Sequence, residues 1–141
     1  MINIDDEMRE LIDNALAQGF PCMVGTASKE GMSQISMKGS MMVYDQGSLA
    51  YWERSRRTAL ENVGGNPNVV VFYRNPDQRI NWRFYGTATI YESGPVRDDV
   101  MSRTVPAELE RDPERLGVAV VVSLDRIGEL TGNVLQQRDG A

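Results

Sequence analysis

The densest run of groups able to do chemistry in this 141-residue chain is Tyr51-Trp52-Glu53-Arg54-Ser55-Arg56-Arg57-Thr58. It stands where a strand pattern gives way to a helix pattern. A helix N-terminus offers backbone N–H groups without intrahelical partners and the positive end of the helix dipole. Arg54, Arg56 and Arg57 add guanidinium groups that match phosphate oxygens in pairs, and Ser55 and Thr58 add hydroxyls. The run reads as a phosphate cradle; the plain alternative is a solvated basic turn with one capping hydroxyl. A second candidate is Ser36-Met37-Lys38-Gly39-Ser40. Lys38 is there either a solvent-facing strand residue, or a further cation for the same phosphate or a donor to a ring oxygen. The third is Arg79 to Gly86, where alternation puts Arg79, Asn81 and Arg83 on one face and Ile80, Trp82 and Phe84 on the other. The Asn81 amide can both donate to and accept from a heteroaromatic ring. In the plain reading, this strand is half-buried with Trp82 in the core.

Composition removes other chemistries. Histidine is absent, which excludes Ser-His-Asp triads, Cys-His pairs and histidine-ligated metals. Cys22 is the single cysteine, so there is no intrachain disulfide and no four-cysteine zinc site. Apolar residues make up 41% and charged residues 25%, as in an ordinary soluble domain. A net charge of −5 argues against a nucleic-acid partner. No stretch approaches the ~20 apolar residues of a membrane span, and the acidic start Met1-Ile2-Asn3-Ile4-Asp5-Asp6-Glu7 lacks a signal-peptide pattern. A cytoplasmic protein of one domain, residues 1–141, is expected.

The elements that must position these residues follow from periodicity and turn signals. Asp5 to Gln18 is expected as a helix capped by Asp5 or Asp6, with Met8, Leu11, Ile12, Ala15 and Leu16 at helical spacing and a stop at Gly19. Strands are expected over Cys22–Ala27, Met32–Met37, Ser40–Tyr44, Ser48–Glu53, Val69–Tyr73, Arg79–Tyr91 and Leu116–Ile127, with Gly86 marking a bulge or barrel corner. Arg54–Val63 is expected as a helix with Ser55 as its cap, and Val96–Leu116 as helical pieces broken by Pro106 and Pro113. Gln136–Ala141 reads as a loose tail. The fold class is mainly β (α+β): about six strands in an antiparallel barrel small enough for side chains to fill, with flanking short helices. A ligand is then expected outside the barrel or between two copies. The methionines, including Met32, Met37, Met41 and Met42, read first as irregular core filler and secondarily as a flexible apolar surface or subunit interface.

The order of these pieces resembles the pyridoxamine 5′-phosphate oxidase-like proteins, the split barrels that bind flavin mononucleotide (FMN). The likeness runs from about Phe20 to Gly132. It rests on the Cys22–Ala27 strand, Ser36-Met37-Lys38-Gly39, Gly47 to Trp52, Ser55-Arg56-Arg57-Thr58, Glu61-Asn62-Val63 and Asn66-Pro67. Val69 to Tyr73, Trp82 to Ala88 and Asp112-Pro113-Glu114-Arg115 complete it. The resemblance implies FMN in a cleft between two barrels of a homodimer. It implies that Ser36, Met37 and Lys38 line the ring and ribityl chain, largely through backbone groups. Tyr51 and Trp52 stand near the phosphate side, and Arg56, Arg57 and Thr58 bind the phosphate. Asn81 reaches the ring from the second subunit. The family's oxidases carry an arginine five residues before the lysine, where this chain has Ser33, and a C-terminal tryptophan segment that this sequence does not show. Vitamin B6 oxidation is therefore not expected. The implied activity is a flavin-dependent oxidoreduction of a small molecule. A non-catalytic flavin-binding or sensor module and an F420-dependent reductase are the alternatives, and heme is disfavoured by the missing histidine.

Overall fold

The computed structural model describes residues 1–140, so Ala141 of the expected tail lies outside the described residues. Along the chain come α1 (Asp6–Asp13), β1 (Cys22–Ala27), β2 (Ser33–Lys38), β3 (Met42–Asp45), β4 (Ser48–Glu53) and α2 (Thr58–Gly65). β5 (Asn68–Asn75), β6 (Ile80–Tyr91), α3 (Pro95–Arg103), α4 (Pro106–Leu109), β7 (Val118–Glu129) and β8 (Val134–Gln137) follow. The sheet order is β2-β1-β5-β6-β7-β4-β3, with β8 added against β7, and every pairing is antiparallel.

Eight segments stand where six strands are expected. β2 and β3 behave as one strand bent at Gly39–Met41, which pairs first with β1 and then with β4. At the bend the Ser40 hydroxyl takes over the ladder, accepting from the Trp52 N–H and donating to the Trp52 carbonyl, both at 3.0 Å. Counted this way, six strands surround the core and β8 stands outside them. β8 corrects the loose tail expected from Gln136 onward. Its sequence carries no alternating apolar signal, but it pairs with β7, and the Gln136 amide bonds both backbone groups of Asn3 at 2.6 and 3.1 Å.

Helix ends depart from the expected ones for local reasons. Asp5 caps α1 by accepting the Met8 N–H at 2.8 Å. The helix stops at Asp13, well short of Gln18, because the Asn14 side chain binds the Glu10 carbonyl at 2.8 Å and competes with the helical ladder. Asp13 then accepts the Val43 N–H at 2.8 Å, fastening α1 to β3. α2 starts at Thr58 rather than Arg54. Arg56 has φ 39°, in the left-handed region, so helical backbone begins only beyond it. Ser55 therefore does not cap the helix, and Gly64 and Gly65 lie inside it.

Inward residues of the strands fill the barrel, including Val24, Leu49, Tyr51, Val71, Tyr73, Phe84, Val120 and Val122, with Met8, Leu11 and Ile12 of α1 and Val63 of α2 in the same cluster. Tyr73, Trp82 and Phe84 meet in sequence, the first pair tilted and the second edge-to-face, with ring centroids 5.6 and 6.2 Å apart. The run Val118-Ala119-Val120-Val121-Val122 is apolar at both parities because α3 covers the other face, where Val100 packs with Met42, Ala50 and Ala119. The register shift expected near Gly86 is present: Tyr85 opposes Arg126 and Gly86 opposes Leu124, leaving Asp125 without a register partner on β6. A Cβ on Gly86 would stand 2.3 Å from the Ser123 carbonyl oxygen, which only a backbone shift could relieve.

Gly86→Ala should therefore destabilise the fold by about 2–3 kcal/mol in urea unfolding. Gly47→Ala, whose Cβ would have no neighbour nearer than 3.9 Å, should stay within about 1 kcal/mol of the parent. Equal losses in the two variants would contradict the close-approach argument.

Candidate functional site

β2 alternates between an inner row, Gln34, Ser36 and Lys38, which is half-buried, and an outer row, Ser33, Ile35 and Met37, which is exposed. The inner row ends at an ion pair. Lys38 Nζ lies 2.9 Å from each carboxylate oxygen of Glu53, with side chains only 11% and 3% exposed. The same ammonium stands 5.7 Å from the centroid of the Tyr51 ring. Burial, and then the Glu53 charge, push the Tyr51 phenol well above its ordinary pKa, so it stays protonated. Glu53 is the last residue of β4, and the arginine loop begins at the next position. The fold thus gathers Lys38, Tyr51 and Glu53 at the root of that loop. Ser36 lies behind them, accepting a long hydrogen bond from the Gln34 amide at 3.4 Å.

The loop itself is exposed from Arg54 to Arg57. Arg56 reaches Glu92 at 2.8 Å, a solvent-screened pair of the kind worth about 0–1 kcal/mol. Among the described residues, Arg54 and Arg57 form no ion pair. Arg57 occupies the N-cap of α2 without a side-chain capping bond, and the first bond of the helical ladder runs from the Glu61 N–H to the Arg57 carbonyl at 3.0 Å. The N–H groups of Thr58, Ala59 and Leu60 are accordingly without helical acceptors. Buried Asn62 donates to Thr26 at 3.1 Å and fixes α2 against β1. The arrangement offers an anion amide donors, one hydroxyl and two unpaired guanidinium groups on a held helix end.

Tyr51 and Trp52 point to opposite sides of β4. Tyr51 enters the barrel core, and Trp52, 3% exposed, lies against Arg97 of α3 and the 112–117 segment. The Trp52 indole N–H donates to Asp112 at 2.9 Å, and Asp112 also accepts the Leu116 and Gly117 N–H groups at 3.0 and 2.9 Å. The Arg97 guanidinium covers the indole at 4.9 Å and donates to the Arg115 and Gly117 carbonyls. Burial opposes ionisation of Asp112, but the bonds from Trp52, Gly117 and Leu116, with the nearby Arg115 charge, outweigh it and hold the carboxyl below its ordinary pKa. Neither Glu53 nor Asp112 carries an expected role from the sequence. The available signals were an acid closing an apolar strand, and an Asp-Pro step just before the valine run.

Met37 and Asn81 lie elsewhere, on the outer face of the sheet. Cross-strand register aligns Met37, Met23, Phe72 and Arg83 in one row, and Ile35, Gly25, Val70, Tyr85 and Arg126 in the next. The missing side chain at Gly25 leaves a groove of about 270 Å³ between these rows. Met32, Ile35 and Met37 are 73%, 73% and 66% exposed. Asn81 shares this face, and its Oδ1 is buried without a hydrogen-bond partner among the described residues. Three strand spacings, roughly 14 Å, separate β6 from β2. The arginine loop meets Glu92, just past the far end of β6, roughly 36 Å of strand from Asn81 at its start, so one chain does not bring Asn81 to the loop. Among the described residues, no group of three acidic or cysteine side chains could hold a metal.

Residues 4–127 match the sequence profile of pyridoxamine 5′-phosphate oxidase. No curated protein matches the chain. The fold is shared with HupZ of Group A Streptococcus, at 24% identity and TM-score 0.76 over 93% of this chain and 97% of that one. It is also shared with an FMN-binding protein of Syntrophomonas wolfei, at 12% identity and TM-score 0.70 over 89% and 88% of the two chains. A third similar structure is HutZ, the heme storage protein of Vibrio cholerae, at 12% identity and TM-score 0.67 over 90% and 94%.

The Asp112 contribution to stability has a defined pH dependence. A carboxyl with a lowered folded-state pKa stabilises the fold above its unfolded pKa and loses that effect as pH falls through the folded value. Asp112→Asn should destabilise the protein by about 2 kcal/mol at neutral pH, by removing acceptors for buried N–H groups. The gap to wild type should close from about pH 5 towards pH 2 in thermal melts. A gap that is constant with pH would show that the charge on Asp112 does not matter.

Proposed function

Because the chain belongs to the pyridoxamine 5′-phosphate oxidase family, we propose that it binds FMN beside the arginine loop and acts, as a homodimer, in flavin-dependent oxidoreduction of a small molecule. The observation that carries the reading is the N-terminus of α2, where uncapped amides meet Arg54 and Arg57, both without acidic partners among the described residues. A phosphate monoester suits that donor set. Arg57 and Thr58 hold the phosphate, and Arg56 joins by releasing its exposed bond to Glu92. β2 closes one end of the sheet order, so one edge of its backbone has no ladder partner among the described residues. That free edge at Ser36, Met37 and Lys38 is suited to a flat heteroaromatic ring. Tyr51 and Trp52 act through position: their buried side chains fix the end of β4 from which the loop departs. When bound, FMN supplies the hydride and electron transfer.

The orphaned Asn81 Oδ1 supports the dimer reading. A buried acceptor without a donor is costly, and reorientation of the amide when a second copy packs on this face would give it one. The apolar outer rows around Ile35 and Met37 are the face suited to a second copy. In the dimer the amide of Asn81 serves the partner's ring. A heme, the group named for the Vibrio structure, would find no histidine here. The Cys22 thiol is buried, which pushes its pKa up to about 12 and leaves no thiolate ligand. Among the described residues, no helix is long and apolar enough to cross a membrane, and a single buried thiol accords with the cytoplasm.

Flavin retained after desalting, with a shifted absorption band, is the expected result. The double change Arg57→Ala/Thr58→Ala should weaken FMN by about 10- to 100-fold while leaving riboflavin, which lacks the phosphate, little changed. Equal affinity of parent and variant for FMN would remove the cradle. Separately, Ile35→Glu should convert a dimer to a monomer by sedimentation at micromolar concentration. A parent protein that is already monomeric would remove the shared cleft.

A further inference from the structure

The Lys38–Glu53 pair stands where the bent strand leaves β1 for β4, one residue from the arginine loop. Burying two charges is expensive, and their attraction offsets that only with good geometry. Here both carboxylate oxygens lie 2.9 Å from the ammonium, and the side chains have no other hydrogen-bond partner among the described residues. The change of ladder does not require the pair, because the Ser40 hydroxyl already satisfies the Trp52 backbone. The strand's one lysine is therefore neutralised from within, beside guanidinium groups that are unpaired or weakly paired.

We propose that Glu53 is a specificity-determining residue, an internal anion that competes with the ligand for Lys38. This rests on reading the arginine loop as the flavin phosphate site. With Lys38 held by Glu53, the free cationic charge beside the pair is that of the loop. The site accepts a ligand with one compact anion, such as a phosphate monoester with an uncharged ring. It disfavours a ligand whose second anion would approach the Glu53 carboxylate. Releasing Lys38 relaxes this selection and tightens binding of multiply charged anions most.

The test titrates wild type, Glu53→Gln, Glu53→Asp and Glu53→Gln/Lys38→Gln with two probes, FMN by fluorescence quenching and inorganic pyrophosphate by calorimetry. Thermal melting confirms that each variant is folded. Glu53→Gln should tighten FMN about tenfold and pyrophosphate by more. Glu53→Asp, which keeps the charge but draws it back, should give a smaller gain. The double variant should return to the wild-type value, because the gain comes from Lys38. If Glu53→Gln does not fold, Glu53→Asp carries the comparison. Unchanged pyrophosphate affinity in the folded variants, including no binding by any of them, overturns the proposal, as does a gain that survives loss of Lys38. Tighter pyrophosphate with no FMN bound by any variant leaves the role of Glu53 standing and removes the flavin reading.

Discussion

One strand has to serve two ladders. β2 pairs with β1 and its continuation β3 pairs with β4, so the barrel can close only through the bend at Gly39–Met41. The Ser40 hydroxyl makes the bend possible by bonding the backbone of Trp52 in place of a missing strand residue. A Cβ at Gly39 would come 2.9 Å from the Glu108 side chain, so the corner is also packed closely by α4. The bend leaves the outer edge of β2 without a ladder partner among the described residues and brings Lys38 against Glu53. It also sends the chain into the arginine loop. The split in the barrel and the candidate site thus have one cause.

The surrounding elements hold the corner from both sides. Inside, Tyr51 packs in the core under the Lys38 ammonium. Outside, Trp52 is clamped by Asp112 and Arg97, which tie the 112–117 segment to β4. A charged loop that must present fixed donors gains from such support, since the loop makes few bonds of its own. The left-handed backbone at Arg56 turns the chain into α2 at a point where its first amides remain open.

Most of the barrel was legible in the sequence because its strands alternate or are bounded by turn residues. Cys22–Ala27 and Ser48–Glu53 have their expected bounds. β8 was not legible, since its partners are β7 and Asn3 rather than an apolar face of its own. The start of α2 lies later than its composition suggests because a positive φ at an arginine leaves no mark on composition. For the site, residue types identified the cation-rich loop and Lys38 as candidates. They did not reveal that Glu53 engages Lys38, because that contact joins strands at a bend no local pattern encodes. Nor did they reveal that Met37 and Asn81 face away from the inner row holding Ser36 and Lys38, which follows from register.

The position of the phosphate of a bound flavin decides whether the arginine loop is its site. A crystal structure of the protein grown with FMN tests this directly. The account predicts the phosphate on the first-turn amides of α2, within hydrogen-bond distance of Arg57 and Thr58, with Lys38 still bonded to Glu53 and the ring against the free edge of β2. A phosphate bound away from α2, or an FMN that contacts none of these residues, would contradict it.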